Sequence, residues 1–355
     1  MSKPIVLGIP ARQKYKLIRY SHLAIKPGQD ALLTADPWSY LHGDLLRSAS
    51  KTRSAKKLSF ERASYYANLA EEFYKAAQLT NLPAQGTLIY YGMLNLVKCL
   101  LSTRGIPLET QVEHHGLTLT PSMKFELQVQ ASSKTHVNIF AEFAKILGTP
   151  ITGKTNVKLQ DAISHIPELH AISHNLGFVR RPKFLPINIE FLTTEDHLKI
   201  FTELAFSKAA EQTHPTKKFL QGRRAKYFIE GAPKEGQKVY RSKLKKSFSQ
   251  NSSIAYKNIL KDYQSFNIAS ILTRSGYRYY CDLEPGNYHH LCFTYLVMFY
   301  IGTAARYRPS EVNEALNGTL RPLVTEAMAL CPQQFMYQVI SLITGQLCVI
   351  PFSKI

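Results

Sequence analysis

Acidic residues are scarce in this chain of 355 residues: 25 Asp and Glu stand against 44 Lys and Arg, a net charge of +19 although only 19% of residues are charged. Cysteines number five (Cys99, Cys281, Cys292, Cys331 and Cys348), odd in count, far apart and in apolar surroundings. No Cys-x-x-Cys, no His-Glu-x-x-His and no Cys/His cluster occurs, so reduced core cysteines are expected, with no structural metal and no disulfide framework. No run reaches the roughly 18–20 uninterrupted apolar residues of a membrane helix, and Met1–Pro10 has no long apolar signal core. A soluble, intracellular, cytoplasmic protein with no membrane partner is expected. A nucleophile elbow (Gly-x-Ser-x-Gly) and a Gly-rich phosphate loop are also missing, and no cofactor is expected.

Apolar residues are plentiful, 45% of the chain, enough for large cores and against intrinsic disorder. The length suggests about two domains. The positive charge is local. Residues 1–57 hold eleven Lys/Arg and three Asp, and residues 217–261 hold thirteen Lys/Arg and two Glu, so these two segments carry the whole excess. Such concentration is what a polyanion-binding surface needs.

Asp36-Pro37 opens a helix with Trp38, Leu41 and Leu45 on one face. Ser59 is read as the cap of a helix over 60–79. Residues 86–103 are apolar nearly all round, which predicts a helix buried among others, yet Thr87, Tyr91, Asn95, Lys98 and Ser102 form a polar seam along it. A loop, a strand over 125–132 and helices over 137–147 and 157–169 follow. From Phe184 the chain turns strand-rich: strands are expected over 184–192, 227–229, 238–241, 267–273 and 277–283, with a helix from Thr193-Thr194-Glu195-Asp196 to about Ala205. Arg274-Ser275-Gly276 suits a hairpin turn. A second all-apolar helix spans Tyr288–Arg306, and the tail suggests helices over 310–316, 319–330 and 333–344 closed by Gly345. The expected fold is mainly α with a β-containing insertion (α+β). Its parts are a basic N-terminal arm (1–35), a helical half (36–183), a β-containing basic insertion (184–284) and C-terminal helices completing the core (285–355).

Segment 217–261 interleaves its cations with Phe219, Tyr227, Phe228, Tyr240, Phe248 and Tyr256. Cations neutralise phosphates while aromatic faces stack on unpaired bases, so RNA or single-stranded DNA is the favoured partner. The candidate nucleic-acid-binding residues are Lys217, Lys218, Arg223, Arg224, Lys226, Arg241, Lys243, Lys245 and Lys246. In the polar seam, Lys98 either snorkels to an edge or lines a functional cleft. Gly148 to Thr155 has Walker A spacing, but it follows a helix and contains Pro150, against the strand–loop–helix context that motif needs. His114, His115, His165, His170 and His174 lie near helix ends, where caps and core hydrogen bonds are commoner than general bases.

Leu88–Leu101 with His114-His115-Gly116-Leu117, together with Phe293–Val312 and its Arg306-Tyr307-Arg308-Pro309 turn, resembles the YaaC-like family over about Trp38–Gly345. Residues 60–117 also resemble a HEPN domain, the helical module of many prokaryotic toxins and defence ribonucleases. That resemblance implies a HEPN-like helical bundle built from both ends of the chain and a bacterial defence or toxin-related setting. Active members cleave RNA with an Arg followed four to six residues later by His; no Arg here has His at that spacing. A non-contiguous site would draw on Asn95, Lys98, His115, Arg306 or Arg308. Three functions are therefore weighed: nucleic-acid binding, a metal-independent ribonuclease with a non-canonical site, and a non-catalytic interaction module serving a homodimer or a partner protein of a defence operon.

Overall fold

The computed structural model describes residues 9–10, 32–109, 111–180, 182–193, 200–206, 228–233, 237–243, 268–273, 276–282 and 286–351. The chain divides into two units, Met1–Gln29 with Val179–Pro285, and Asp30–Phe178 with Gly286–Ile355. The protein is mainly helical with several sheets, an α+β fold. None of the described helices is long and apolar enough to cross a membrane.

The described residues of the first unit form an antiparallel sheet. Its strands are β1 (Ile9–Pro10), then, after the elements of the other unit, β8 (Phe184–Thr193), β9 (Ile200–Phe206), β10 (Phe228–Glu230), β11 (Lys238–Ser242), β12 (Ile268–Thr273) and β13 (Gly276–Asp282), in the order β10-β11-β9-β8-β13-β12 with β1 on the far end of β8. The register Thr193↔Ile200 and Thr273↔Gly276 joins neighbouring strands by short connections. The helix expected to run to Ala205 is corrected: Ile200–Phe206 is a strand paired on both edges, with β8 and β11. Its helix-forming residues yield because Phe201, Leu204 and Phe206 are buried in the sheet.

The second unit holds the described helices. They are α1 (Pro37–Ser50), α2 (Ser54–Gln78), α3 (Ala84–Thr103), α4 (Ile139–Ile146), α5 (Leu159–Ser164), α6 (His170–Asn175), α7 (His290–Tyr307), α8 (Pro309–Asn317) and α9 (Arg321–Thr344). Short strands accompany them: β2 (Leu32–Leu33), β3 (Val112–His114), β4 (Leu117–Leu119), β5 (Glu126–Gln130), β6 (His136–Asn138), β7 (Lys154–Lys158) and β14 (Cys348–Val349). Asp36 caps α1 as expected, its Oδ1 accepting from Trp38 N at 3.1 Å and Ser39 N at 3.2 Å.

Three local expectations are corrected. α2 begins at Ser54, so Ser59 lies inside it and donates to Ala55 O at 3.0 Å. The helix expected over 157–169 is shorter: Val157 and Lys158 belong to β7, α5 covers only Leu159–Ser164, and α6 begins beyond the expected span at His170. The two tail helices are one, α9, which runs through Pro332. Its buried stripe of Val324, Met328, Cys331, Phe335, Met336 and Val339 is continuous across the proline, and burying it offsets the roughly 3 kcal/mol that a mid-helix proline costs.

The core is the crossing of α3 and α7, one from each end of the chain, and both are buried nearly all round. Tyr90 of α3 packs edge-on to Tyr295 and Phe299 of α7, with ring centroids 5.7 and 5.3 Å apart. Glycine permits the close approach: a Cβ on Gly302 would stand 2.8 Å from Gly86 O and 2.9 Å from Tyr90 Cβ, and one on Gly86 would stand 2.6 Å from Ile301 Cγ2. All five cysteines are free and buried.

Candidate functional site

The crossing brings α3 residues against α7 residues that lie some 200 positions away in sequence, and it sends the polar seam in several directions. Thr87 Oγ1 donates to Gly302 O at 3.0 Å. Asn95 turns back on its own helix, its Nδ2 donating to Tyr91 O at 2.8 Å. Lys98 forms an ion pair with Glu113 at 2.6 Å and lies over the Tyr66 ring at 5.2 Å. Of the two alternatives left open for Lys98, it reaches an acidic partner at the edge of α3, so its charge is already countered. The Ser102 hydroxyl is buried without a hydrogen-bond partner among the described residues.

Arg306 is different. Its Nη1 donates to Tyr91 Oη at 2.7 Å and its Nε to Gly302 O at 3.4 Å, while the guanidinium lies 5.1 Å from the Tyr91 ring centroid and 5.0 Å from that of Tyr307. Two aromatic faces therefore hold an exposed guanidinium that has no carboxylate partner among the described residues. Arg308, two residues on, is occupied structurally: it donates to Thr120 O at 2.7 Å, to Met123 O at 3.1 Å and to Glu311 Oε1 at 3.1 Å.

His115 stands on the same side of the crossing. Its Nδ1 is hydrogen-bonded to the hydroxyl of fully buried Tyr90, with the donor set by the imidazole tautomer. The Tyr90 and Phe299 rings close one side of the imidazole at 5.7 and 6.4 Å, and the residue is otherwise exposed. Desolvation, then the charges of Lys98 and Arg306, then His114, lower the His115 pKa from its ordinary 6.5. His115 is therefore neutral at pH 7 and lies within electrostatic reach of both cations. The Tyr90 and Tyr295 hydroxyls act on each other in turn, and both are held far above the usual tyrosine pKa, chiefly by burial.

The chain reaches this position through a small framework of strands. β3 and β6 pair in parallel, His114 opposite Asn138. Gly116 has φ +75°, which glycine adopts freely, and a Cβ there would stand 2.9 Å from Asn138 Cβ. Phe140 N donates to His115 O at 3.2 Å and Gln130 N to Gly116 O at 2.9 Å, so the His-Gly turn is fixed from both sides. Beside it opens a cavity of about 420 Å³ lined by His114, His115, Gln130, Ser133, His136 and Asn138, among others. Among the described residues, no group of three or more His, Cys, Asp or Glu is placed to hold a metal ion.

Sequence reasoning does not single out Tyr90, Glu113, His136 or Asn138. For Tyr90 a signal exists: a tyrosine in a helix buried all round needs a partner for its hydroxyl. The other residues depend on the parallel β3–β6 pairing, which no local pattern announces. Two of the other candidate histidines make structural contacts: His170 Nδ1 is hydrogen-bonded to Pro167 O, and His165 stacks on Phe293 at 4.5 Å. The Walker-like segment is a loop between α4 and β7, with Lys154 opening a strand.

Of the candidate nucleic-acid-binding residues, Arg241 pairs with Glu203 of β9 and Ile229 of β10 and is half-buried, as is Lys243 two residues on. Lys217, Lys218, Arg223, Arg224, Lys226, Lys245 and Lys246 lie outside the described residues. Phe228 and Tyr240, expected among the stacking aromatics, are core residues of the sheet, with Tyr240 edge-on to Phe206 at 5.8 Å.

No curated protein and no solved structure matches this chain. A family model described as YaaC-like Protein matches residues 34–343. That span takes in α3, the His115 turn and α7, the segments that carry the resemblance, and the chain belongs to the YaaC-like family.

Proposed function

We propose that this protein binds nucleic acid, RNA or single-stranded DNA in preference to a duplex, and that the Arg306–His115 face of the helical unit contacts a phosphodiester. The observation that carries the reading is Arg306: a guanidinium held between two tyrosine rings, with no carboxylate among the described residues to neutralise it, is pre-organised for a phosphate fork. The two basic segments supply the long-range attraction. The likeness of residues 60–117 to defence-ribonuclease helices belongs to the same reading, as does a bacterial defence setting. Titration of labelled RNA against the full chain at increasing salt tests it. Affinity should fall linearly on logarithmic axes, and replacing Arg223, Arg224, Lys243, Lys245 and Lys246 with Gln should flatten the slope. Undetectable binding of RNA and single-stranded DNA at low ionic strength refutes the proposal.

A second reading, metal-independent cleavage of RNA, draws on His115, whose pKa is lowered by burial and neighbouring cations. With the proton on Nδ1 and donated to Tyr90 Oη, Nε2 can take the proton of a ribose 2′-hydroxyl. The freed oxygen attacks the adjacent phosphorus, the bond to the 5′-oxygen breaks, and that oxygen takes a proton from water, leaving a 2′,3′-cyclic phosphate. Arg306 would face the developing negative charge. Cleavage abolished by His115→Ala and by 2′-deoxy substitution at the cut site supports this reading; intact RNA after prolonged incubation with the wild type excludes it.

A further inference from the structure

We infer that the cavity beside His115 is a subsite for one unpaired nucleobase, which makes a single strand, and not a duplex, the form of nucleic acid that this face takes. The inference rests on the nucleic-acid reading above and adds to it the source of strand preference. The cavity, about 420 Å³, falls in the range of small-molecule sites. Its lining includes no Asp, Glu, Lys or Arg, so it favours a neutral ligand, while the cation that would hold an attached phosphate, Arg306, acts on His115 at its rim.

Within the cavity the chemistry is that of a planar heterocycle. His114 and His136 stack on each other with centroids 5.1 Å apart and planes 25° from parallel, a platform of the kind on which bases stack. His136 is oriented by its own neighbours: Nδ1 is hydrogen-bonded to Thr135 Oγ1 at 2.7 Å and to Ser133 Oγ at 3.2 Å. That leaves Nε2 without a hydrogen-bond partner among the described residues. The Gln130 side chain is likewise unpartnered there and offers both a donor and an acceptor to a base edge. Asn138 has a different task, its Nδ2 donating to Gln130 O at 3.3 Å and Ala131 O at 2.6 Å, which fixes the wall of the cavity. A base in a duplex cannot enter such a recess without leaving its partner, whereas an unpaired base can.

The test uses the full-length protein with a short adenine-rich RNA carrying one 2-aminopurine, presented as a single strand and annealed to its complement. Stacking should quench the 2-aminopurine fluorescence of the single strand. His136→Ala should abolish the quenching and weaken single-strand binding about tenfold, with duplex binding unchanged. Gln130→Ala, at an exposed side chain, should weaken single-strand binding by a smaller factor and serves should His136→Ala fail to fold. Binding of both forms without quenching, or equal loss for single strand and duplex, overturns the base subsite and leaves the nucleic-acid reading standing. Absence of affinity for either form, and for single-stranded DNA of the same sequence, overturns both.

Discussion

Substituting Gly302 tests whether the α3–α7 crossing is what builds the site. In an exposed helix interior, Gly→Ala stabilises by about 1 kcal/mol because the backbone loses less entropy on folding. At Gly302 the added methyl would lie 2.8 Å from Gly86 O and 2.9 Å from Tyr90 Cβ, neither of them the end of a flexible side chain. The helices must separate, and overpacking of this kind costs ~1–3 kcal/mol, which exceeds the propensity gain at all but its lower end. Gly43, exposed in α1, has nothing within 4 Å of where an added methyl would stand and provides the internal control. For a unit of roughly 200 residues each kcal/mol moves the midpoint by about 2–4 °C. Gly43→Ala should therefore melt about 2–4 °C above the wild type, and Gly302→Ala below it, when followed by circular dichroism. Gly302→Ala should also weaken RNA binding, because Gly302 O accepts from both Thr87 and Arg306. A Gly302→Ala protein that melts at or above the wild type refutes the close packing of the two helices as the source of the site.

Acid should destabilise the helical unit partly through His290, which is hydrogen-bonded to Gln338 Oε1 at 2.9 Å and whose pKa burial lowers to about 4. The unfolded chain takes up the proton near pH 6.5 and the folded one only near 4, so this stability is complete above pH 6.5 and is lost as pH falls toward 4. The full loss is about 3 kcal/mol, and His290→Gln should flatten that part of a urea-midpoint profile; an unchanged acid limb contradicts it. Arg306→Lys keeps the charge but not the planar group held by Tyr91 and Tyr307, so it should recover little of the RNA affinity lost in Arg306→Ala; full recovery would show that a point charge suffices. Gly116→Ala, at φ +75° and against Asn138, should lower the melting temperature by several degrees, and a neutral result would show that the His-Gly turn can relax.

The helical frame is legible in the sequence because its signals are local. Asp36-Pro37 fixes the start of α1, and the all-apolar runs of α3 and α7 declare their own burial. Local signals mislead where a distant contact decides. Ile200–Phe206 reads as helix until strands pair on both its edges, and Pro332 reads as a break until the continuous apolar stripe of α9 is buried. The site is half legible. Asn95, Lys98, His115 and Arg306 all stand out as candidates, but their roles separate only in three dimensions: Glu113 neutralises Lys98, Asn95 bonds to its own helix, and Arg306 keeps an uncountered charge among the described residues. The sequence interval between His114 and His136 hides the stacked pair, which exists because β3 and β6 run in parallel.

The most direct test of phosphate binding beside His115 is its titration by NMR, the imidazole resonances assigned by their loss in His115→Gln, in the free protein and with single-stranded RNA bound. A pKa below 6.5 is expected in the free protein, from burial and from Lys98 and Arg306, with a rise on binding as a phosphate placed beside the ring favours the imidazolium. A pKa of 6.5 or more in the free protein, unmoved by bound RNA, would contradict it.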